Sequence, residues 1–423
     1  MQPQSPIIFS QYSMLKLLKL DTNKALDSSF HTIHLRNSTT PCANSTSVDP
    51  TICPDPTTCA QECLIEGISD YSAYGVHVSP STTTTTTSLG SVTLNQYLQT
   101  NTDNKTTITT ASPRLYLLSP TGSTYQPLHL LNQEISFTVD VSNLPCGMNG
   151  ALFLSEMDFS GGHSSTLNRA GAPYGTGYCD AQCYIKPWFN GVANTANVGA
   201  CCNEMDLWEA NARATAVTGH SCNVSGIYGC EGETCGSGSA GVCDKTGCGF
   251  NPYALGREGF YGLGDAFRVD TRGVVRVVTQ FWTSVSDGSG DGNDAAGEGQ
   301  ALKQIRRLYI QDGVVIHNAV VELDGQRTDS ITDRYCVEKG DSEGTFESHG
   351  GLEAMGKALE RGMVLVFSVW NDDSSYMQWL DAGSDGPCNS TEGNPEVIEA
   401  VDPGTAVVFS DVRWGDIGST FGV

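Results

Sequence analysis

Apolar residues recur along the chain in short runs that either alternate with polar residues or are apolar throughout. The runs are rich in Val, Ile, Thr, Tyr and Phe, and turn residues separate them, which is the pattern of β-strands. Examples lie at residues 114–118, 135–141, 274–282, 363–370 and 406–409, and 47 glycines punctuate the chain. The pattern predicts an all-β sandwich of two large antiparallel sheets.

Residues 351–361 are the segment with a convincing helical period. Leu352, Met355 and Leu359 recur at intervals of three and four residues, and basic residues close the segment. We therefore predict a helix there, within an otherwise β protein.

Two segments resemble known loop motifs. The threonine tract Thr82–Thr87 is short and strand-like sequence follows it, which favours a surface loop over an O-glycosylated linker. Residues 287–298 match the spacing of a calcium loop, with Gly292 at the glycine position and Glu298 at the last ligand position. A calcium hand needs helices on both sides, whereas strand-like runs flank this segment. An acidic hairpin loop without a metal is therefore predicted.

The net charge of −24, from 23 basic and 47 acidic residues, limits the partners of the protein. A surface this negative repels phosphate backbones and anionic lipids, so we expect neither nucleic acid nor a membrane as partner. The chain also lacks a run of about 18 apolar residues that could span a bilayer. A neutral or cationic partner is expected.

Sixteen cysteines are closely spaced along the chain, for example Cys179 with Cys183 and Cys201 with Cys202. These four could bind zinc, but the paired knuckles of zinc sites are missing and disulfides are favoured. Five N-glycosylation sequons fit a secreted glycoprotein: Asn37, Asn44, Asn104, Asn223 and Asn389. We expect a protein made for an oxidising, extracellular environment.

The N-terminal sequence lacks the pattern of a secretory signal. Its most apolar run, Met14 to Leu20, is interrupted by Lys16 and Lys19. We therefore expect residues 1–31 to be foreign to the domain, and residues 32–423 to form one catalytic domain.

The strongest chemical signal is a run of three carboxylates, Glu204, Asp206 and Glu209, flanked by apolar residues, Trp208 and two cysteines. On a regular strand Glu204 and Asp206 share one face and Glu209 points to the other. A β-bulge near Leu207 and Trp208 would return Glu209 to the same side. Such crowding separates the pKa values of the three groups, as a nucleophile and an acid in glycoside cleavage require. An exposed acidic strand is the alternative that the pattern alone leaves open.

Two tryptophans, Trp370 and Trp379, follow an apolar strand and lie nine residues apart across a predicted turn. They would suit a sugar cleft, because indole faces stack on sugar rings, or they could be core residues. An isolated histidine such as His220 is more often structural than catalytic.

Several motifs together resemble the glycoside hydrolase family seven, the fungal cellulases. The resemblance runs from about His34 to the C-terminus, about nine-tenths of the chain. Its motifs are Cys53-Pro-Asp-Pro-Thr-Thr-Cys59, Leu144-Pro-Cys-Gly-Met-Asn-Gly150, Tyr174-Gly-Thr-Gly-Tyr-Cys-Asp-Ala-Gln-Cys183, Glu204-Met-Asp-Leu-Trp-Glu209, Gly362-Met-Val-Leu-Val366 and Trp414-Gly-Asp-Ile-Gly-Ser-Thr420.

The resemblance implies a concanavalin-like β-jelly roll with an open cleft, and a role for each site residue. Glu204 would be the nucleophile, Glu209 the acid/base, Asp206 a hydrogen-bond partner of the nucleophile, and His220 a neighbour of the acid/base. The substrate-binding residues would be Arg114, Asn149, Tyr178, Asp180, Gln182, Trp370 and Trp379, with the two tryptophans on either side of the bond that is cut. Phe153 replaces a tyrosine that the family often has in the cleft.

The resemblance also implies eight disulfides: 42–63, 53–59, 146–388, 179–202, 183–201, 222–243, 230–235 and 248–336. From the resemblance we expect the family's opening segment to be missing, since Phe30 and Thr32 stand where its tryptophans would be, and a wrong first exon would explain this. We expect no cellulose-binding module. We expect no cofactor and no metal. We expect the protein to be a monomer.

Within the family, the endo-1,4-β-glucanase branch is favoured. The connections from Cys183 to Cys201 and from Trp379 to Cys388 are short, so the loops that roof the cleft of a cellobiohydrolase would be absent. The cysteine-rich loop from Cys222 to Cys248 points the other way, so exo action is the alternative. A glucan-binding lectin without catalysis is the alternative from another class.

Overall fold

The computed structural model describes residues 16–17, 23–79, 90–102, 105–283, 301–340 and 345–421. The threonine tract at residues 82–87 and the acidic loop at residues 287–298 lie outside these residues. Within the described part of the chain, no helix is long and apolar enough to cross a membrane.

The described strands form two large antiparallel sheets, as the alternating and apolar runs predicted. Sheet one has nine strands. Its main path, in spatial order, is Val314–His317, Gln304–Gln311, Val275–Trp282, Gln133–Asp140, Ala406–Asp416, Ser91–Asn95 and Val76–Ser79. Two short strands, Lys16–Leu17 and Ser330–Ile331, pair with Ala406–Asp416 and Gln304–Gln311.

Sheet two has eight strands and carries the three carboxylates. Its main path is Cys248–Phe250, Thr215–His220, Glu204–Ala210, Met148–Ser155, Met363–Asn371, Arg114–Leu117 and Lys24–Leu26, and Pro127–Leu128 pairs with Met363–Asn371. We call Glu204–Ala210 the carboxylate strand.

The main core lies between the two sheets. The ring of Phe137 in sheet one lies 6.2 Å from that of Trp208 in sheet two, and the rings of Phe409 and Phe367 lie 5.6 Å apart. A second buried cluster covers the other face of sheet two, where Ala151, Phe153, Tyr116, Val364 and Val366 meet the segment around Cys179 and Cys202. Since Met363–Asn371 is covered on both faces, its sequence is an apolar run with little alternation.

Short elements surround the sandwich. The predicted helix forms at Gly351–Arg361, and its apolar positions Leu352, Met355 and Leu359 are fully buried. The other α-helices are Pro56–Glu62, Asp333–Lys339, Thr345–Ser348, Gln378–Asp381 and Pro395–Val401. The 3-10 helices are Ser28–Phe30, Tyr71–Tyr74, Ala172–Tyr174 and Gly232–Cys235.

Six strand pairs lie outside the two large sheets. They are Ile33–Leu35 with Cys63–Ile65, Tyr97–Thr102 with Lys105–Thr110, Trp188–Phe189 with Val192–Ala193, Gly199–Cys201 with Tyr228–Cys230, Tyr261–Gly262 with Val269–Asp270, and Val321–Leu323 with Gln326–Thr328.

The first strand of sheet two along the chain bears on the predicted domain boundary. Lys24–Leu26 pairs with Arg114–Leu117 as the edge strand of sheet two, and Ala25 and Leu26 are fully buried. The strand Lys24–Leu26 thus packs as part of sheet two, although it lies in the segment that the sequence predicted to be foreign to the domain. No local pattern predicted this strand, because it contains only two apolar residues.

All sixteen cysteines lie in the described residues, and their pairing is the one that the family resemblance implied. The zinc alternative is wrong, because Cys179 and Cys183 are bonded to Cys202 and Cys201 and offer no free thiolates.

Candidate active site

The carboxylate strand has the predicted bulge. Against Met148–Ser155 its register shifts between Asp206 and Trp208, and against Thr215–His220 it shifts between Asp206 and Glu209. Leu207 has no partner in either ladder, and both Leu207 and Trp208 point into the main core. The extra residue therefore puts Glu204, Asp206 and Glu209 on the outer face of sheet two.

Other predicted site residues lie on the same face because neighbouring strands carry them. Asn149 stands in register with Trp370, Ser155 with Glu204, and Glu204 in turn with His220. Arg114 begins the next strand beyond Met363–Asn371. Sheet two thus brings together residues that lie more than 250 positions apart in the sequence.

Glu204 is buried beside two other acids. Its Oε2 accepts a hydrogen bond from the main-chain N–H of Ala181 at 3.1 Å. Burial, with the neighbouring carboxyls of Asp206 and Asp180, raises the pKa of Glu204, whereas the Ala181 N–H favours its charged form.

Asp206 is bonded to His220. The two are joined through Oδ2 and Nε2 at 3.0 Å, and the other ring nitrogen of His220 donates to the carbonyl of Asp244 at 3.0 Å. Burial, followed by the charge of Asp180, raises the pKa of Asp206 to about 8. The resemblance implied that Asp206 is a hydrogen-bond partner of the nucleophile. The contact between Asp206 and His220 was not predicted. Gly247 allows this packing, since a Cβ there would lie 2.5 Å from the imidazole.

Glu209 is held by Asn149. The amide nitrogen of Asn149 donates to Oε1 of Glu209 at 3.0 Å, and its amide oxygen accepts from the N–H of Ala210 at 3.2 Å. Burial and the neighbouring Asp206 raise the pKa of Glu209 to about 8. Glu209 is therefore suited to carry a proton at neutral pH and to donate it.

Arg114 and Tyr178 form a second part of the site, and the sequence analysis missed their partner. The Arg114 guanidinium lies 3.9 Å from the ring centroid of Tyr178, and its Nη1 lies 3.9 Å from Oδ2 of Asp27. Asp27 also accepts a hydrogen bond from the hydroxyl of Tyr116. Asp27 belongs to the segment predicted to be foreign, so no motif pointed to it.

Asp180 and Gln182 lie on the segment that covers the start of the carboxylate strand. Oδ1 of Asp180 accepts from the N–H groups of Gln182 and Cys183 at 2.9 and 3.1 Å. The side chain of Gln182 donates to the carbonyl of Lys245 at 2.9 Å, so the loop from Cys222 to Cys248 lies against this part of the site.

Trp370 and Trp379 are in contact with each other. Their ring centroids are 6.1 Å apart with 29° between the planes, and Trp379 is 42% exposed. They are not core residues, since neither is buried, and they form one adjoining aromatic surface. Their positions relative to the bond that is cut stay a prediction.

A β-sandwich that presents paired carboxyl groups beside an indole surface on one sheet has the arrangement that glycoside hydrolases use. The sequence profile described as Glycosyl hydrolase family 7 matches residues 16–421. The chain therefore belongs to glycosyl hydrolase family 7, as the sequence motifs predicted.

Named relatives agree with this assignment. The chain is 54% identical over 401 residues to an endo-beta-1,4-glucanase celB of Aspergillus oryzae. This alignment covers 95% of the chain and 89% of the relative. A solved structure of an endoglucanase I complexed with cellobiose matches with a TM-score of 0.82 and 41% identity, over 94% of this chain and 92% of that one. A cellobiohydrolase of Daphnia pulex matches with a TM-score of 0.80 and 35% identity, over 94% and 93%.

Proposed function

We propose that the protein is a retaining endo-β-1,4-glucanase that hydrolyses internal bonds of cellulose and related glucans. The observation that carries this proposal is the bulged carboxylate strand, which brings Glu204 and Glu209 to one face beside an exposed indole surface. A lectin would gain nothing from burying three carboxyl groups together, since each resists ionisation there.

The reaction is a double displacement. Glu204 attacks the anomeric carbon and forms a glycosyl–enzyme ester, while Glu209 gives its proton to the departing glycosidic oxygen. Glu209, now a carboxylate, then takes a proton from water as that water attacks the anomeric carbon, the bond from this carbon to Glu204 breaks, and Glu204 is released as a carboxylate. Two inversions at one carbon retain the anomeric configuration.

The environment of each carboxyl fits its role. The raised pKa of Glu209, about 8, keeps its proton available near neutral pH. The Ala181 N–H stabilises negative charge on Glu204, and the raised pKa of Asp206, about 8, favours its neutral form and so lowers the repulsion that Glu204 meets. The cluster thus functions with fewer than three charges.

The glucan would bind along the outer face of sheet two. Trp370 and Trp379 offer stacking surfaces, and Arg114, Tyr178, Asp180, Gln182 and Asn149 offer groups that hydrogen-bond or pack against sugars. The bound cellobiose of the similar endoglucanase I supports a β-glucan substrate.

Two observations bear on endo or exo action. The connection before Cys388 is a compact turn, in which the N–H of Cys388 donates to the carbonyl of Asp381 and that of Asp385 to Ala382, and this supports an open cleft. The second candidate is a cellobiohydrolase, because the loop from Cys222 to Cys248 contacts Gln182 and His220 and could cover one end.

We also propose that the protein is a secreted, N-glycosylated monomer. Eight disulfides support folding in an oxidising compartment. Asn37, Asn44, Asn223 and Asn389, four of the sequon residues, are exposed, so they are accessible for glycosylation.

The test follows the viscosity and the reducing ends of a soluble cellulose derivative together. Endo action predicts an early collapse of viscosity and a spread of oligomers, because an open cleft binds internal segments. Glu204→Gln is the control, and it should bind glucan but leave the viscosity unchanged. Cellobiose as almost the sole early product, with viscosity nearly constant, would assign the protein to the exo class.

A further inference from the structure

An arginine lies in the main core, far from water. Arg307 belongs to the strand Gln304–Gln311 of sheet one, pairs in register with Thr279 and is 3% exposed. A guanidinium buried among apolar side chains is strongly destabilising unless hydrogen bonds compensate it. Among the described residues, no carboxylate forms an ion pair with Arg307, so its partners have to be of another kind.

Its partner is the bulge of the carboxylate strand. Nη2 of Arg307 donates to the carbonyl of Leu207, the residue that has no place in either ladder. The guanidinium also lies 6.0 Å from the ring of Trp208 and 5.9 Å from that of Tyr309. Sheet one thus contacts the two bulge residues of sheet two, across the sandwich and 100 positions away in sequence.

The bulge needs such a partner. An extra residue in a strand leaves its carbonyl outside the ladder, and a buried carbonyl without a donor is destabilising. Without the bulge, side-chain alternation would direct Glu209 into the core. The donor that satisfies Leu207 therefore favours the backbone shape that aims Glu209 at Asn149 and the substrate.

We infer that Arg307 is a positioning residue for the acid/base: its hydrogen bond to the Leu207 carbonyl, with its packing on Trp208, holds the bulge that orients Glu209. Arg307 touches no substrate and acts only through the backbone of the carboxylate strand. The inference rests on the proposed function, because it assigns Arg307 to the proton-donating step.

The experiment compares Arg307→Met with the unsubstituted enzyme on two substrates. Cellotetraose has a poor leaving group that needs the proton of Glu209, whereas dinitrophenyl cellobioside leaves without it. General acid catalysis contributes about 10²–10⁴-fold. We therefore expect Arg307→Met to lower kcat/KM on cellotetraose by about tenfold or more, and kcat/KM on the dinitrophenyl substrate by less than about threefold, because kcat/KM reports only the steps up to the glycosyl–enzyme.

Three further variants make the result specific. Arg307→Lys keeps one donor for Leu207 and should recover part of the loss on cellotetraose. Arg276→Met is the matched control, because Arg276 lies on the neighbouring strand Val275–Trp282 and pairs with Asp411, away from the carboxylate strand. Arg276→Met should change the activity on both substrates by the same factor. Glu209→Gln should lower kcat/KM on cellotetraose strongly and leave kcat/KM on the dinitrophenyl substrate nearly unchanged.

Each outcome of this comparison either supports or overturns the role of Arg307. If Glu209→Gln fails to discriminate between the substrates, the proposed role of Glu209 is wrong. If Glu209→Gln discriminates and Arg307→Met does not, the inference alone is overturned. If neither Arg307 variant folds, as judged by near-UV circular dichroism, Arg307 supports the whole core, and the specific role is likewise overturned.

Discussion

At the scale of single residues, charge balance decides how the sugar-facing groups are held. Arg114 can lie against the face of Tyr178 because Asp27 provides a carboxylate 3.9 Å from its Nη1. The same carboxylate caps the turn at Ser28–Phe30 through the N–H of Ser29. Asp27, which directly follows the strand Lys24–Leu26, therefore holds Arg114 in this part of the proposed cleft.

Asp27→Asn should weaken substrate binding more than it slows the chemistry. The amide keeps the shape and can accept from Ser29, but it no longer balances the charge of Arg114. The Nη1–Oδ2 distance of 3.9 Å is that of an ion pair rather than of a hydrogen bond, and the attraction between such charges is lost in the amide. We therefore expect KM for cello-oligosaccharides to rise about tenfold, with a smaller change in kcat. Asp265→Asn, in a surface ion pair with Arg272, is the matched control. An unchanged KM in Asp27→Asn would contradict this role.

At the scale of elements, the sequence predicts an element that depends on local side-chain spacing and misses one that depends on a distant contact. The sequence predicted the helix Gly351–Arg361, the apolar strand Met363–Asn371 and the bulge after Asp206, because each follows from side-chain spacing within a few residues. It missed Lys24–Leu26, whose burial depends on Arg114–Leu117 some 90 positions later. It also missed Arg307, since no local pattern shows that its partner is the carbonyl of Leu207.

Two disulfides anchor the segment that enters the carboxylate strand. Cys183 and Cys201, 18 positions apart, join the covering segment to the strand just before Glu204. Replacing Cys183 and Cys201 by serine should lower the free energy of unfolding by about 3 kcal/mol. It should also lower kcat, because the segment that carries the Ala181 N–H loosens. Denaturant unfolding and kcat measure the two effects.

The matched control replaces Cys53 and Cys59, which close a loop of only 6 positions in the separate cluster around Cys42. It should leave kcat unchanged. A normal kcat in the Cys183/Cys201 double variant would show that the bridge stabilises the fold without organising the site.

At the scale of the whole molecule, the site opposes stability at high pH. Burial raises the pKa of Glu204, of Asp206 to about 8 and of Glu209 to about 8, so the folded state holds protons that the unfolded state releases near pH 4. Below that pH both states are protonated and these groups favour folding fully. As pH rises towards 8, the unfolded state binds fewer protons than the folded one, and stability falls.

We expect the melting temperature to decrease between pH 6 and pH 8. Exposed carboxyls are already ionised at pH 6, so the large negative net charge changes little in this window, and the buried cluster dominates the slope. Glu209→Gln should flatten the decrease and raise the melting temperature at pH 8, because the amide oxygen still accepts from Asn149 but carries no charge. Calorimetry of both proteins at several pH values measures this. A melting temperature that rises from pH 6 to pH 8, or an equal slope in Glu209→Gln, would mean that the cluster is not the source of the pH dependence.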